Sequence, residues 1–175
     1  MVSDDAPRSS GIRGIRHRLL GPRAGDSPAR AAADRTTSAQ PALRQVLFVC
    51  IGNSCRSQMA EAFAKKYGAD VMVARSAGIA PAVIIAPMTR HTLAERNILI
   101  DGHFPKVLDM SNRDGNELVI NMSGTPLKLH GANVIEWEVQ DPIGLDENVF
   151  RAVADQIEGL VMRLIMDLRS GSRKV

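Results

Sequence analysis

Aromatic side chains are scarce in this sequence, with one Trp, one Tyr and four Phe among 175 residues. A surface that stacks nucleic-acid bases normally needs such side chains interleaved with basic ones, and here the most basic stretch has none. Cysteine is scarcer still. Cys50 and Cys55 are the only two, too few to staple a secreted disulfide scaffold. No apolar run approaches the roughly 20 residues that a membrane-spanning helix needs. These absences point to a soluble domain in a reducing, cytoplasmic compartment, with neither nucleic acid nor membrane as a partner.

Charge of one sign is also missing from the part of the chain that can fold. The formal net charge is +3, yet residues 1–40 hold seven of the 22 basic residues and four of the 19 acidic ones, so the excess lies in that segment. Residues 1–41 are rich in Ala, Arg, Ser, Gly and Pro without apolar periodicity, which reads as a disordered extension. They lack the continuous apolar stretch of a secretory signal. Residues 42–175 are expected to form one catalytic domain, with a monomer favoured.

The texture changes at Arg44. Gln45–Cys50 is a β-branched run suited to a buried parallel strand, followed by Gly52, Asn53 and Ser54 and then a helix with Met59, Phe63 and Tyr67 on one face and Gly68 as its stop. Val71–Ala74 reads as a second strand. A helix is expected from Pro87 to about Arg96 with Asn97 as its C-terminal cap, and strands at Glu117–Met122 and Val134–Val139. An amphipathic helix spans about Glu147–Arg169. Strands alternating with helices imply an α/β domain with a largely parallel sheet.

The chemistry concentrates where the first strand meets the first helix, Cys50-Ile51-Gly52-Asn53-Ser54-Cys55-Arg56-Ser57. A strand feeding a helix N-terminus through such a loop aims the backbone N–H groups of residues 51–56 at one point, an anion cradle. Gly52 and Asn53 tolerate the left-handed backbone that a tight loop demands. The planar fork of Arg56 suits two oxygens of a tetrahedral oxyanion. Cys50 is placed as the nucleophile, and the helix dipole, the loop amides and Arg56 all favour its thiolate. Asp141, before Pro142 and after the fourth strand, sits where parallel strands share their C-terminal edge and is the candidate general acid and base. Glu61 and Lys106 read as members of a solvated face. His91 and His130 have no metal-ligand spacing with Cys50, so no metal is expected.

The stretch VLFVCIGNSCRSQMAEA, Ser76-Ala77-Gly78, His103 in DGHFPKVLD, and WEVQDPIG before the last helix together resemble the low-molecular-weight protein tyrosine phosphatase superfamily, including its arsenate reductases. The resemblance covers about residues 44–169. It implies a three-layer α/β fold, a four-stranded parallel sheet with helices on both faces, and a cysteinyl-oxyanion intermediate with no cofactor. It also implies that Asn53, Ser57, Ser76 and His103 form a hydrogen-bond network supporting the loop.

Gln58 stands where phosphatases of this kind carry Pro. Ile143 and Gly144 replace the aromatic residues that wall a phosphotyrosine pocket, which favours a small inorganic oxyanion. Arsenate reduction would leave Cys50 to be regenerated without further cysteines downstream. The reductant is then an external thiol, of glutathione or mycothiol type with a glutaredoxin-like protein, or Cys55 closing a disulfide with Cys50. The alternative is hydrolysis of phosphotyrosine or small aryl phosphates. A non-catalytic oxyanion sensor comes third.

Overall fold

The computed structural model describes residues 43–111 and 117–171; the extension expected over residues 1–41 lies outside the described residues. Strands β1 (Arg44–Cys50), β2 (Met72–Gly78), β3 (Glu117–Asn121) and β4 (Asn133–Glu136) form one sheet in the order β2-β1-β3-β4, every pair parallel. Helices α1 (Arg56–Tyr67), α2 (Pro87–Ala94) and α3 (Glu147–Arg169) complete it. The expected four-stranded parallel α/β fold is present. Because the chain steps from β1 outward to β2 and then back past β1 to β3, the C-terminal end of β1 lies at a switch point, where open parallel sheets form their crevice.

Alternation along β1 explains the two layers of core. Val46, Phe48 and Cys50 face a cluster built with Met59 and Phe63 of α1, Leu93 of α2 and Phe150, Val153 and Ile157 of α3. Leu47 and Val49 face the opposite way, onto Leu108, Val119 and Leu129. Helices on both faces were expected from the resemblance; among the described residues all three helices bury their side chains in the first cluster. The second face is covered by irregular chain. The β3–β4 connection cannot wind into a helix there, since Gly124 and Gly131 take positive φ of 76° and 79° and Pro126 interrupts what remains.

Several boundaries differ from the sequence reading. Strand β2 runs on to Gly78 because its whole length pairs with β1, ending at Cys50 opposite Gly78. Strand β4 stops at Glu136, and Trp137 donates its N–H to Asn121 O at 2.8 Å. Helix α2 ends earlier than Arg96, capped at Glu95, while Asn97 takes a left-handed φ of 55° two residues later. Helix α3 matches its expected span, and the Asp146 side chain caps it by accepting from Val149 N at 3.1 Å.

Candidate active site

The loop between β1 and α1 is oriented by where its carbonyls go. Cys50 O accepts from Ile79 N (3.1 Å), Ile51 O from Ala80 N (2.9 Å), Gly52 O from Ala82 N (2.9 Å) and Ser54 O from Ala86 N (3.1 Å). Asn53 O accepts from Gln58 Nε2 at 3.1 Å, and Cys55 O from Met59 N at 2.9 Å. A trans peptide sets each C=O opposite the next N–H. The carbonyls of residues 50–54 are engaged by partners outside the loop and that of Cys55 by the first turn of α1, the arrangement in which the amides of Ile51, Gly52, Asn53, Ser54, Cys55 and Arg56 would be left for the inside of the loop.

Only Asn53 in this loop is left-handed, with φ 45°, and Gly52 is not, which corrects the role expected of that glycine. Asn53 is held by its own side chain. Its Nδ2 donates to Ser57 Oγ and Ser76 Oγ, both at 2.8 Å, and its Oδ1 accepts from Lys106 N at 2.7 Å. Cys50 Sγ lies 3.0 Å from Ser57 Oγ, so the nucleophile joins the same buried network. Gly78 permits the close approach of β2: a Cβ there would sit 2.7 Å from Ile51 O and 2.8 Å from Asn53 N.

His103 belongs to the network one step further out than expected. Its Nδ1 meets Gln58 Oε1 at 2.9 Å, and Gln58 in turn reaches Asn53. Burial holds the His103 imidazole below its ordinary pKa, and the nearby Lys65, Lys106 and Arg90 act the same way against the opposing pull of Glu61. Glu61 is not on a solvated face. It is 4% exposed, accepts from Ser76 Oγ at 2.5 Å and from Lys65 Nζ at 2.6 Å, and lies 3.5 Å from Lys106 Nζ. Burial pushes its pKa up, but these hydrogen bonds and ammonium charges outweigh that and hold the carboxyl below its ordinary value.

The structure brings Arg56 and Asp141 together. Arg56 Nη1 donates to Met122 O (2.8 Å) and Val139 O (3.3 Å), and Nη2 meets Asp141 Oδ2 at 2.5 Å. The Arg56 Nε is buried without a partner among the described residues. The Asp141 side chain is 44% exposed, and Ile143 N donates back to its Oδ1 at 3.2 Å.

Cys55 lies close enough to Cys50, Arg56 and Asp141 to feel their charges, but its thiol is not part of the Asn53–Ser57 network. It is buried in the apolar cluster that α1 shares with the sheet, and burial pushes its thiol up to about 12 despite a hydrogen bond with the Thr89 side chain. Ile51, Val83, Ile84 and Ile143 are exposed aliphatic residues. Trp137 packs against the core with its ring 5.9 Å from Phe48. His91 and His130 are surface residues, His91 meeting Glu95 and Glu147 beside Arg151. Sequence reasoning missed Gln58, Glu61 and the steric need for Gly78. The burial of the first two in the first turns of α1 is seen only in the structure.

The profile of the low molecular weight phosphotyrosine protein phosphatase family matches residues 45–174. A glutaredoxin arsenate reductase of Synechocystis is 34% identical over 128 residues, spanning 70% of this chain and 97% of that protein. A solved arsenate reductase in its phosphate-binding state superposes with a TM-score of 0.64 at 32% identity, covering 72% of this chain and 99% of that one. An arginine phosphatase from Geobacillus stearothermophilus, 24% identical with a TM-score of 0.62 over 73% of this chain and 94% of its own, shares the fold.

Proposed function

The chain belongs to the low molecular weight phosphotyrosine protein phosphatase family, and from that premise we propose that it is a thiol-dependent arsenate reductase in which Cys50 attacks the oxyanion. The observation that carries this reading is a loop whose carbonyls are engaged from outside, with Cys50 Sγ 3.0 Å from Ser57 Oγ and Arg56 paired with Asp141, after which Ile143 and Gly144 stand in place of aromatic residues. Inward amides of residues 51–56 and the Nε–Nη2 edge of Arg56 supply donors for the oxygens, and charge-assisted pairs of this kind are the strong ones. The arsenate reductases of similar sequence, 34% identical in the case already given, support the same substrate.

In the first step the Cys50 thiolate forms an S–As bond, and one arsenate oxygen leaves as water with a proton from Asp141. Arsenic is still As(V). An incoming thiolate then attacks the Cys50 sulfur; the S–As bond breaks with its electron pair on arsenic, which leaves as arsenite. Cys50 is now in a mixed disulfide, and a second thiol releases it, so two thiols are oxidised to one disulfide for each arsenate reduced. Cys55 is a poor candidate for that attack, since a buried thiol with a pKa of about 12 supplies almost no thiolate near neutrality. The reductant is an external low-molecular-weight thiol of glutathione or mycothiol type, assisted by a glutaredoxin-like protein. A working thiol fits a reducing, cytoplasmic setting.

Among the described residues no helix is long and apolar enough to cross a membrane. Asp141 beside Arg56 would protonate an alcohol as readily as water, so hydrolysis of small aryl phosphates through a cysteinyl-phosphate is the second reading. The test is arsenite release with glutathione and glutaredoxin, run in parallel with p-nitrophenyl phosphate hydrolysis. Arsenite that disappears in Cys50→Ser is the expected result; ester hydrolysis with no arsenite under any thiol would give the site to the phosphatase reading.

A further inference from the structure

Gln58 is a residue whose side chain does more than fill space. It is the third residue of α1 and fully buried, and a helical side chain leans toward the N-terminus of its helix, which brings its amide back over the loop. Its Nε2 donates toward Asn53 O (3.1 Å), Asn53 Oδ1 (3.0 Å) and Phe104 O (3.0 Å). Its Oε1 faces His103 Nδ1 at 2.9 Å, while His103 Nε2 lies 3.4 Å from Lys65 Nζ. The two N–H groups of Gln58 are shared among these three oxygens, and the remaining contacts are met when His103 donates from Nδ1 to Gln58 Oε1 and Lys65 donates to Nε2. The orientation of the Gln58 amide is therefore fixed from both ends.

What it fixes is the one left-handed residue of the cradle. A non-glycine backbone at positive φ persists where its surroundings over-determine it, and alternation of backbone handedness is what curls successive N–H groups into an anion-binding concavity. We infer that Gln58 is a positioning residue for oxyanion binding: held by His103, it clamps Asn53 in its left-handed conformation and ties the cradle to the 103–106 segment. This rests on residues 50–56 holding the oxyanion and does not depend on that oxyanion being arsenate. It assigns Gln58 to ground-state and transition-state binding alike, with the bond-making left to Cys50, Arg56 and Asp141.

The experiment uses the full chain and sulfate as the probe. Calorimetric titration with sulfate measures the cradle in the wild type, in Gln58→Met, which keeps the shape and removes both polar ends, and in Gln58→Glu, which keeps the acceptor for His103 and removes the donors to Asn53. Loss of buried hydrogen bonds of this kind translates to about tenfold in affinity. Each variant with a cooperative melt should bind sulfate about tenfold more weakly. KM for whichever reaction the wild type catalyses should rise in parallel, with kcat within about threefold of wild type. The amide resonances of Asn53 and Ser54 should shift while those of β3 stay in place. Should Gln58→Met fail to fold, Gln58→Glu carries the test. Wild-type sulfate affinity in the folded variants, or a fall in kcat as large as the loss of affinity, would overturn the inference. Absence of sulfate binding by the wild type itself would instead fail the oxyanion cradle on which it rests.

Discussion

Cys50 and Cys55 are five residues apart and both buried, and they differ in their hydrogen-bond partners. The sulfur of Cys50 touches Ser57 at the base of the anion loop, whereas the thiol of Cys55 is pushed up to about 12 by burial. Cys55→Ala should therefore keep thiol-dependent turnover within about threefold, while Cys50→Ser should have none, read as arsenite released per minute. Glu61 gives a pH-dependent expectation. Its carboxyl is held below its ordinary value, so the stability it contributes is complete above the unfolded-state pKa of ~4.3 and is lost as the pH falls through the lower folded value. Glu61→Gln should melt lower at pH 7, and the gap to the wild type should close toward pH 3 in thermal scans. The reactive set Cys50, Asn53, Arg56 and Ser57 was legible because one short loop carries it. Gln58 and Glu61 were not, since their partners His103, Ser76 and Lys106 come from other parts of the chain.

At the level of elements, the junction of β1, β2 and α1 decides whether the cradle forms. The backbone of β2 at Gly78 lies against Ile51 and Asn53 so closely that any Cβ must displace backbone atoms. Gly78→Ala should cost about 1–3 kcal/mol, in line with overpacking elsewhere, measured by urea unfolding, and should weaken sulfate binding as well. Sequence periodicity placed β1, α1 and α3 well, because each carries a run of apolar residues at the right spacing. It shortened β2 to Ala74, since Arg75 and Ser76 break the apolar run; pairing with β1 carries the strand on regardless. The first nine residues of α1 are buried on every side, which no one-faced helical pattern announces.

For the whole molecule, the sheet order sets the tips of β1 and β2 beside the chain that follows β3 and β4, so Arg56 reaches Met122, Val139 and Asp141 across 66, 83 and 85 residues of sequence. That the ends of β1 and β4 share one edge was readable from strand alternation; the Arg56 contacts to the Met122 and Val139 carbonyls were not. The covering of the second face was not, because irregular chain leaves no period to read. Regeneration of Cys50 depends on the route that electrons take to its sulfur. Mass spectrometry of the full chain after incubation with arsenate and glutathione, without glutaredoxin, follows that route directly. A mixed disulfide between Cys50 and glutathione that requires arsenate is the predicted product; a Cys50–Cys55 disulfide, or unmodified Cys50, would contradict it.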